Sequence, residues 1–210
     1  VDYLSIGIDE DAVIESMESP FRFKIIFKGS SITHGISASR SGMTYPARFG
    51  RDNGYDVCNL GFSGKSKLQR EFAQILAEAH ADAFIFDAFS NPSATEIRER
   101  FDEFVDVIRA AHPYTPLIFL QTERRETRNF NQNTEKRESD KQAAAEEVVR
   151  RRMQTDKNIY FIDSEGFLGE DHVGTVDGTH PNDIGFSRML DCIEPAIIEI
   201  LEDYGLILPE

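Results

Sequence analysis

Two adjacent serines, Ser30 and Ser31, follow a glycine that ends an apolar run near the start of the chain. Much later in the chain, Asp177 and His180 are separated by two residues. A serine hydroxyl becomes an effective nucleophile when an imidazole accepts its proton and a carboxylate holds that imidazole in the correct tautomer. These residue types are therefore suited to acyl transfer, provided that the fold brings a serine and the histidine together.

Five short apolar runs predict the strands that must position these residues. They are Phe23–Phe27, Asp56–Leu60, Ala83–Asp87, Leu117–Gln121 and Ile159–Asp163. Nearly continuous apolar runs are typical of parallel strands that helices cover on both faces. Because helical patterns alternate with these runs, the sequence predicts an α/β protein, a three-layer α/β/α sandwich with a five-stranded parallel sheet.

Four segments have the periodicity of helices. They lie around residues 68–79, 97–108, 134–153 and 183–204. Ser93 and Glu96 have the spacing of a capping box directly before the second helix. The stripe that should turn the first helix toward the core consists of Leu68, Phe72, Ile75, Leu76 and Ala79.

Polar or glycine-rich loops follow the predicted strands. In an open parallel sheet, ligands bind beyond the carboxyl ends of the strands. In chain order the loops contain Gly29-Ser30-Ser31, Gly61-Phe62-Ser63-Gly64, Ser90-Asn91-Pro92, Arg124-Arg125-x-x-Arg128 and Asp177-x-x-His180. Taken singly, Gly-Ser and Asn-Pro are also common in ordinary turns. Taken in this order, they place a serine, a glycine turn, an asparagine and a histidine on one edge of the sheet.

Together these motifs resemble the sequence blocks of the SGNH (GDSL-type) hydrolases. Gly29-Ser30-Ser31-Ile32 resembles the first block, Gly-Asp-Ser-Leu, with a serine in place of the usual Asp. Residues 59–64 resemble the second block, Asn91 stands where the third block has its Asn, and Asp177-Gly178-Thr179-His180 matches the fifth. Over residues 23–204 the chain is most similar to the GDSL-like acylhydrolases that often carry an upstream β-sandwich domain.

The resemblance implies a flavodoxin-like fold and a serine esterase that needs no metal or organic cofactor. Ser31 would attack an ester carbonyl, His180 would act as base and then as acid, and Asp177 would orient the imidazole. The backbone N–H groups of Ser31 and Gly64 and the Asn91 side chain would bind the oxyanion. The third block lacks its usual Gly-x-Asn-Asp, so that only Asn91 carries over.

The sequence contains four other histidines, two of which are alternatives to His180 as the base. His34 lies close to the serines in sequence, and His172 follows an aspartate, so both compete with His180 for the role of base. His80 and His112 close predicted helices, where a histidine interacts favourably with the helix dipole, and we interpret both as structural.

Arg125 and Arg128 are the two basic residues that could bind an anionic part of a substrate at the same edge. The interleaved glutamates Glu123 and Glu126 favour instead a solvated loop.

Composition limits the partners and the location. The 210 residues include 37 acidic and 23 basic side chains, a formal net charge of −14, which argues against nucleic acid or an anionic membrane as the main partner. No apolar segment approaches the roughly 20 residues that span a bilayer, and no signal peptide is visible, so we expect a cytoplasmic location. Cys58 and Cys192 lie among apolar residues and are predicted to be buried free thiols.

Residues 1–22 are acidic and only weakly periodic, and we interpret them as a lead-in or linker before a hydrolase domain at 23–210. The leading function is an esterase that removes a short acyl group such as acetyl from a carbohydrate or another small molecule, a choice of substrate that rests on family analogy. A lysophospholipase or thioesterase is the alternative within enzymes. A catalytically silent carbohydrate-binding module is the alternative outside them.

Overall fold

The computed structural model describes residues 5–207, and within that range five strands form one parallel sheet in the order β2-β1-β3-β4-β5. The strands are β1 (Lys24–Gly29), β2 (Asp56–Gly61), β3 (Ala83–Phe86), β4 (Leu117–Leu120) and β5 (Ile159–Ile162). The predicted five-stranded parallel sheet is confirmed. Residues 1–4 of the predicted lead-in and 208–210 of the predicted domain lie outside the described part of the chain.

Helices cover both faces of this sheet. In the described range they are α1 (Ser31–His34), α2 (Tyr45–Asn53), α3 (Arg70–Glu78), α4 (Ala94–Ala111), α5 (Gln132–Met153) and α6 (Asp183–Asp203). The four predicted helices correspond to α3–α6, and the capping box between Ser93 and Glu96 is present at the start of α4. Helix α2 was not predicted, although Thr44 caps its first turn and Gly54 ends it in the left-handed conformation.

The core lies in two layers, one on each face of the sheet. On one face, Phe86 and Phe119 stack with ring centroids 4.7 Å apart beneath α3, α4 and α5. On the other face, the Phe27 ring packs 5.5 Å from both Tyr45 and Phe49, beneath α2 and α6. Successive residues of a strand point to opposite faces. The sheet is therefore buried on both sides, which explains why its strands are almost continuously apolar.

Two expectations about burial were wrong. Ile75 of α3 is 57% exposed, because the residues of this helix that face the sheet are Ala73 and Leu76. Cys58 and Cys192 are both free thiols, but Cys192 is exposed on α6 and Cys58 is only partly buried.

The segment before β1 differs from the rest of the described chain. Residues 5–22 contain no helix or strand and are exposed, including several of their apolar side chains. Nothing in this arrangement tests the division into a lead-in and a domain, which stays a prediction. Within residues 5–207, every helix is too short or too polar to cross a lipid bilayer.

Candidate active site

The nucleophile turn joins the end of β1 to α1. Ser30 is the N-cap of α1, and its hydroxyl accepts a hydrogen bond from the Ile32 N–H at 3.1 Å. Ser31 is therefore the first residue of the helix, where a backbone N–H has no partner within the helix. The cap thus places the Ser31 side chain beyond the carboxyl end of β1, while the Ser30 side chain is directed into the turn.

Ser31, His180 and Asp177 form a continuous hydrogen-bonded chain. Ser31 Oγ lies 3.0 Å from His180 Nε2, and His180 Nδ1 lies 2.7 Å from Asp177 Oδ2. A carboxylate accepts hydrogen bonds only, so Nδ1 carries the proton that Asp177 binds, and Nε2 is left as an acceptor for the serine hydroxyl. This is the tautomer that a general base needs in order to take the proton of Ser31.

A tight hairpin loop, residues 174–182, presents the histidine. The Val176 N–H donates to the His180 carbonyl and the Asn182 N–H to the Gly174 carbonyl, both at 3.0 Å. The Asn182 side chain then caps α6 by accepting from the Ile184 and Gly185 N–H groups. The loop is therefore closed by backbone hydrogen bonds and fixed at one end to a helix.

Asp177 orients its neighbour through both carboxylate oxygens. While Oδ2 accepts from the imidazole, Oδ1 accepts from the backbone N–H groups of His180 at 2.7 Å and Thr179 at 2.9 Å. Partial burial acts to raise the pKa of Asp177, but these hydrogen bonds outweigh it and lower the pKa below its usual value. The residue is consequently a carboxylate at neutral pH, as an orienting group must be.

The loops after β2 and β3 flank the serine, because these two strands are the neighbours of β1 in the sheet. Gly64 adopts φ +66°, a left-handed conformation that favours glycine, and none of the hydrogen bonds among residues 5–207 uses its N–H. Asn91 accepts the Ser66 N–H on its Oδ1 at 3.2 Å. That contact leaves the donor side of the Asn91 amide, Nδ2, available.

Lys28 supports the loop that contains Gly64, a role that was not predicted from the sequence. The side chain is buried, donates to Ser66 Oγ at 2.6 Å, and lies 4.3 Å from the centre of the Phe72 ring. Burial lowers the pKa of the Lys28 ammonium to about 8, against the opposing influence of Asp87. A lysine inside an otherwise apolar strand was the signal that could have revealed it.

The competing histidines lie apart from this chain of hydrogen bonds. His34 ends α1 with an exposed side chain, and among the described residues that side chain has no hydrogen-bonded carboxylate. His172 contacts Glu126 at 3.1 Å and is exposed. His112 is the C-cap of α4 and its Nε2 lies 3.1 Å from the Leu76 carbonyl, while His80 is exposed just after α3.

Arg125 and Arg128 are both paired with carboxylates of this chain, and their predicted role in substrate binding stays a prediction. Arg125 pairs with Glu123 at 3.1 Å and donates to the Ser90 carbonyl at 2.9 Å. Arg128 is only 4% exposed and pairs with Glu135 on α5. Carboxylates of the same chain therefore bind both guanidinium groups. The solvated loop that was the alternative is wrong, since both side chains are largely buried.

A cavity of about 820 Å³ lies at the ends of β4 and β5, beside the site and not within it. Its lining includes Glu126 and His172, but none of the residues of the Ser31–His180–Asp177 chain. We place the chemistry at the serine and not in this cavity, because the cavity contains no nucleophile–base pair.

Comparison with known proteins agrees with the motifs. The family model of the GDSL-like Lipase/Acylhydrolase family matches residues 22–198. A solved structure described as a GDSL-like lipase from Bacteroides ovatus is 50% identical, with a TM-score of 0.87 over 93% of this chain and 58% of that chain. The present chain thus spans little more than half the length of that relative.

Two more distant structures share the fold. The salicylyl-acyltransferase SsfX3 from a tetracycline biosynthetic pathway is 23% identical, with a TM-score of 0.73 over 89% of this chain and 57% of that one. A family two carbohydrate esterase from Clostridium thermocellum, in complex with cellohexaose, is 15% identical, with a TM-score of 0.67 over 92% and 68%. No curated protein matches the sequence significantly. On the family match and the Bacteroides relative, the predicted resemblance to the SGNH hydrolases is confirmed, and this chain belongs to the GDSL-like lipase/acylhydrolase family.

Proposed function

We propose that this chain is a serine esterase that hydrolyses carboxylic esters through an acyl-enzyme intermediate. The observation that carries the proposal is the unbroken connection from Ser31 Oγ through the His180 ring to the Asp177 carboxylate, with contacts of 3.0 and 2.7 Å. Distances in this range permit direct proton transfer between the hydroxyl and the imidazole.

In the first half of the reaction, His180 Nε2 takes the hydroxyl proton as Ser31 Oγ attacks the ester carbonyl carbon. The tetrahedral intermediate then collapses, and the imidazolium gives its proton to the departing alcohol oxygen. Asp177 stabilises the transient positive charge on the ring. The acyl group is left on Ser31.

In the second half, His180 removes a proton from water, which attacks the acyl-serine carbonyl. Collapse of the second intermediate releases the carboxylic acid and returns the proton to Ser31 Oγ. In both halves, the N–H groups of Ser31 and Gly64 and the Asn91 amide are the proposed donors to the oxyanion. Loss of one such donor typically costs about 3–4 kcal/mol of transition-state stabilisation.

For the substrate we propose a short acyl group, such as acetyl, on a carbohydrate or a similar small alcohol. The 820 Å³ cavity supports this choice, because a space large enough for a long acyl chain is not lined by Ser31, His180 or Asp177. The carbohydrate esterase that shares the fold supports the sugar part by analogy alone.

The test is to assay the wild type and Ser31→Ala on 4-nitrophenyl esters of graded chain length and on acetylated sugars. We expect the wild type to hydrolyse the acetate fastest, and the variant to lose at least about 10⁴-fold in kcat/KM. A fluorophosphonate probe should label the wild type and leave Ser31→Ala unlabelled. Absence of both labelling and hydrolysis in the wild type would favour a silent binding module, and preference for long acyl chains would favour a lysophospholipase or thioesterase.

A further inference from the structure

A buried carboxylate, Asp87, lies directly beneath the nucleophile turn. It follows β3 and is 4% exposed. Its Oδ2 accepts hydrogen bonds from the Ser30 N–H at 3.1 Å, from the Ser30 hydroxyl, and from the Thr33 hydroxyl at 3.0 Å. Its Oδ1 accepts from the Ser90 hydroxyl at 2.9 Å. One side chain therefore holds the residue before the nucleophile and the first turn of the helix after it.

The chain makes room for this contact at Gly29. A Cβ atom on residue 29 would lie 2.8 Å from Asp87 Cβ and 2.0 Å from Thr33 Oγ1, both too close. The neighbouring strands β1 and β3 pair in parallel, with Lys28 opposite Phe86, which brings the end of β3 alongside the turn. The glycine of the first block is thus needed for the approach of a carboxylate from the adjacent strand.

Position 30 is where this chain departs from the usual Gly-Asp-Ser-Leu block, since Ser30 stands in place of the Asp. We propose that Asp87 is a positioning residue, which supplies from the adjacent strand the carboxylate that the block lacks and thereby fixes the orientation of Ser31. The proposal rests on the proposed esterase function and adds to it a residue that touches neither the substrate nor the reacting atoms.

Asp87 restricts the backbone at Ser30, directly before the nucleophile. The Ser30 N–H and hydroxyl are both tied to the same oxygen, so the backbone on the amino side of Ser31 cannot rotate without breaking two hydrogen bonds to a charged group. That backbone determines where Ser31 Oγ lies relative to His180, and where the Ser31 N–H points. A misplacement of about 1 Å can cost roughly 100-fold in rate.

An exchange of side chains tests the proposal. In D87S the carboxylate is lost, in S30D two carboxylates face each other in a buried site, and in S30D/D87S a single carboxylate stands at position 30. Each enzyme is assayed on 4-nitrophenyl acetate for kcat and KM, labelled with a fluorophosphonate to report the reactivity of Ser31, and unfolded thermally. Asp82 is the matched control, because it also binds the backbone of β1, through the Lys24 N–H at 2.7 Å, but at the opposite edge of the sheet.

We expect D87S and S30D each to lower kcat by about 100-fold, with KM within about threefold, and the exchange to recover at least about tenfold over either single variant. D82N should change the melting temperature while kcat stays at the wild-type value. An exchange no better than D87S, or a wild-type kcat in folded D87S, overturns the proposal.

If D87S and S30D do not fold, the variant S30A tests the proposal in their place. It removes the hydroxyl bond to Asp87 together with the cap on the Ile32 N–H, while the Ser30 N–H keeps its bond to Asp87. It should lower kcat about tenfold and slow labelling in proportion; an unchanged kcat overturns the proposal. A wild type that neither hydrolyses the ester nor reacts with the probe overturns the proposed function, and this inference with it. An active wild type with unaffected variants overturns the inference alone.

Discussion

The two halves of the candidate site are held in different ways. On the serine side, Ser30, Thr33 and Asp87 are almost completely buried, and hydrogen bonds join their side chains across the ends of the adjoining strands β1 and β3. On the histidine side, the Asp177 side chain is 51% exposed, and the loop is held mainly by its own backbone hydrogen bonds. One half is thus part of the core, while the other is a surface loop tied to a helix.

Because of this difference, we expect substitutions on the two sides to have different effects on activity and on stability. A change on the histidine side removes a reacting group and leaves the packing intact, so that activity falls while stability does not. A change on the serine side disturbs buried polar groups, whose unpaired atoms are costly, and lowers both.

The largest effect is expected at His180. His180→Ala should lower kcat/KM by at least about 10⁴-fold, because no group is left to take the Ser31 proton, while the melting temperature changes little. His34→Ala is the matched control, since it is the histidine closest to Ser31 in sequence and should keep activity within about threefold. Steady-state kinetics decide, and a larger loss in His34→Ala would contradict the assignment of the base.

The next largest effect is expected at Asn91, whose side chain holds the Ser66 N–H and has an amide donor available for the oxyanion. Asn91→Asp keeps the oxygen that accepts the Ser66 N–H but loses the amide donor, so kcat should fall by about 10²–10³-fold with little change in KM. Asn91→Ala loses both contacts and should additionally lower the melting temperature. An Asn91→Asp enzyme with wild-type kcat would remove Asn91 from the oxyanion site.

Stability should depend on pH in opposite senses at two carboxyl groups, the buried Glu123 and the exposed Asp177. Burial raises the pKa of Glu123 to about 7 from 4.5, with Asp87 adding to it and Arg125 opposing it. The folded state therefore holds a proton that the unfolded state has lost between about pH 4.5 and 7, and the stability contributed by this group falls as pH rises through that window. Asp177, whose pKa is lowered, stabilises the fold above its unfolded pKa of 3.8 and loses that effect on acidification.

Urea unfolding of the wild type and Glu123→Gln at pH 5 and pH 8 measures this contrast. The free energy of unfolding of the wild type, relative to the variant, should fall by about 2–3 kcal/mol between the two pH values. Asp177→Asn should show no comparable change between pH 5 and pH 8. A wild-type to Glu123→Gln difference that is independent of pH would show that Glu123 does not titrate in the folded protein.

The smallest effect is expected at Thr175, near the start of the histidine loop, whose side chain joins that loop to Glu126. Its hydroxyl donates to Glu126 at 2.7 Å and accepts the Gly178 N–H at 3.1 Å. Thr175→Val should lower kcat only a few-fold, because the backbone bonds of the hairpin remain. Thr155→Val, which loses one exposed hydrogen bond far from the site, is the control and should leave kcat unchanged. A loss as large as that of Asn91→Asp would mean that the loop depends on this contact.

Local pattern in the sequence was sufficient for the strands and for helices α3–α6, although it did not reveal α2 or Lys28. Apolar runs located the five strands, and position after a strand singled out Ser31, Asp177 and His180, which the structure brings together. The role of Asp87 could not be predicted from local pattern. The contact between Asp87 and Ser30 joins residues 57 apart and requires the pairing of β1 with β3. The ion pairs of Arg125 and Arg128 could not be predicted for the same reason, since the carboxylates that bind them include Glu135 and Glu138 on the following helix.

Asn182 makes the histidine loop rigid although the loop lies at the surface. Its backbone N–H closes the hairpin, its Nδ2 donates to the Val173 carbonyl at 2.7 Å, and its Oδ1 starts α6. The loop that carries the base is therefore continuous with a 21-residue helix that packs on the sheet. Because the imidazole is in place before any ester arrives, little conformational entropy remains to be lost during acylation, and the activation entropy of that step should be correspondingly small.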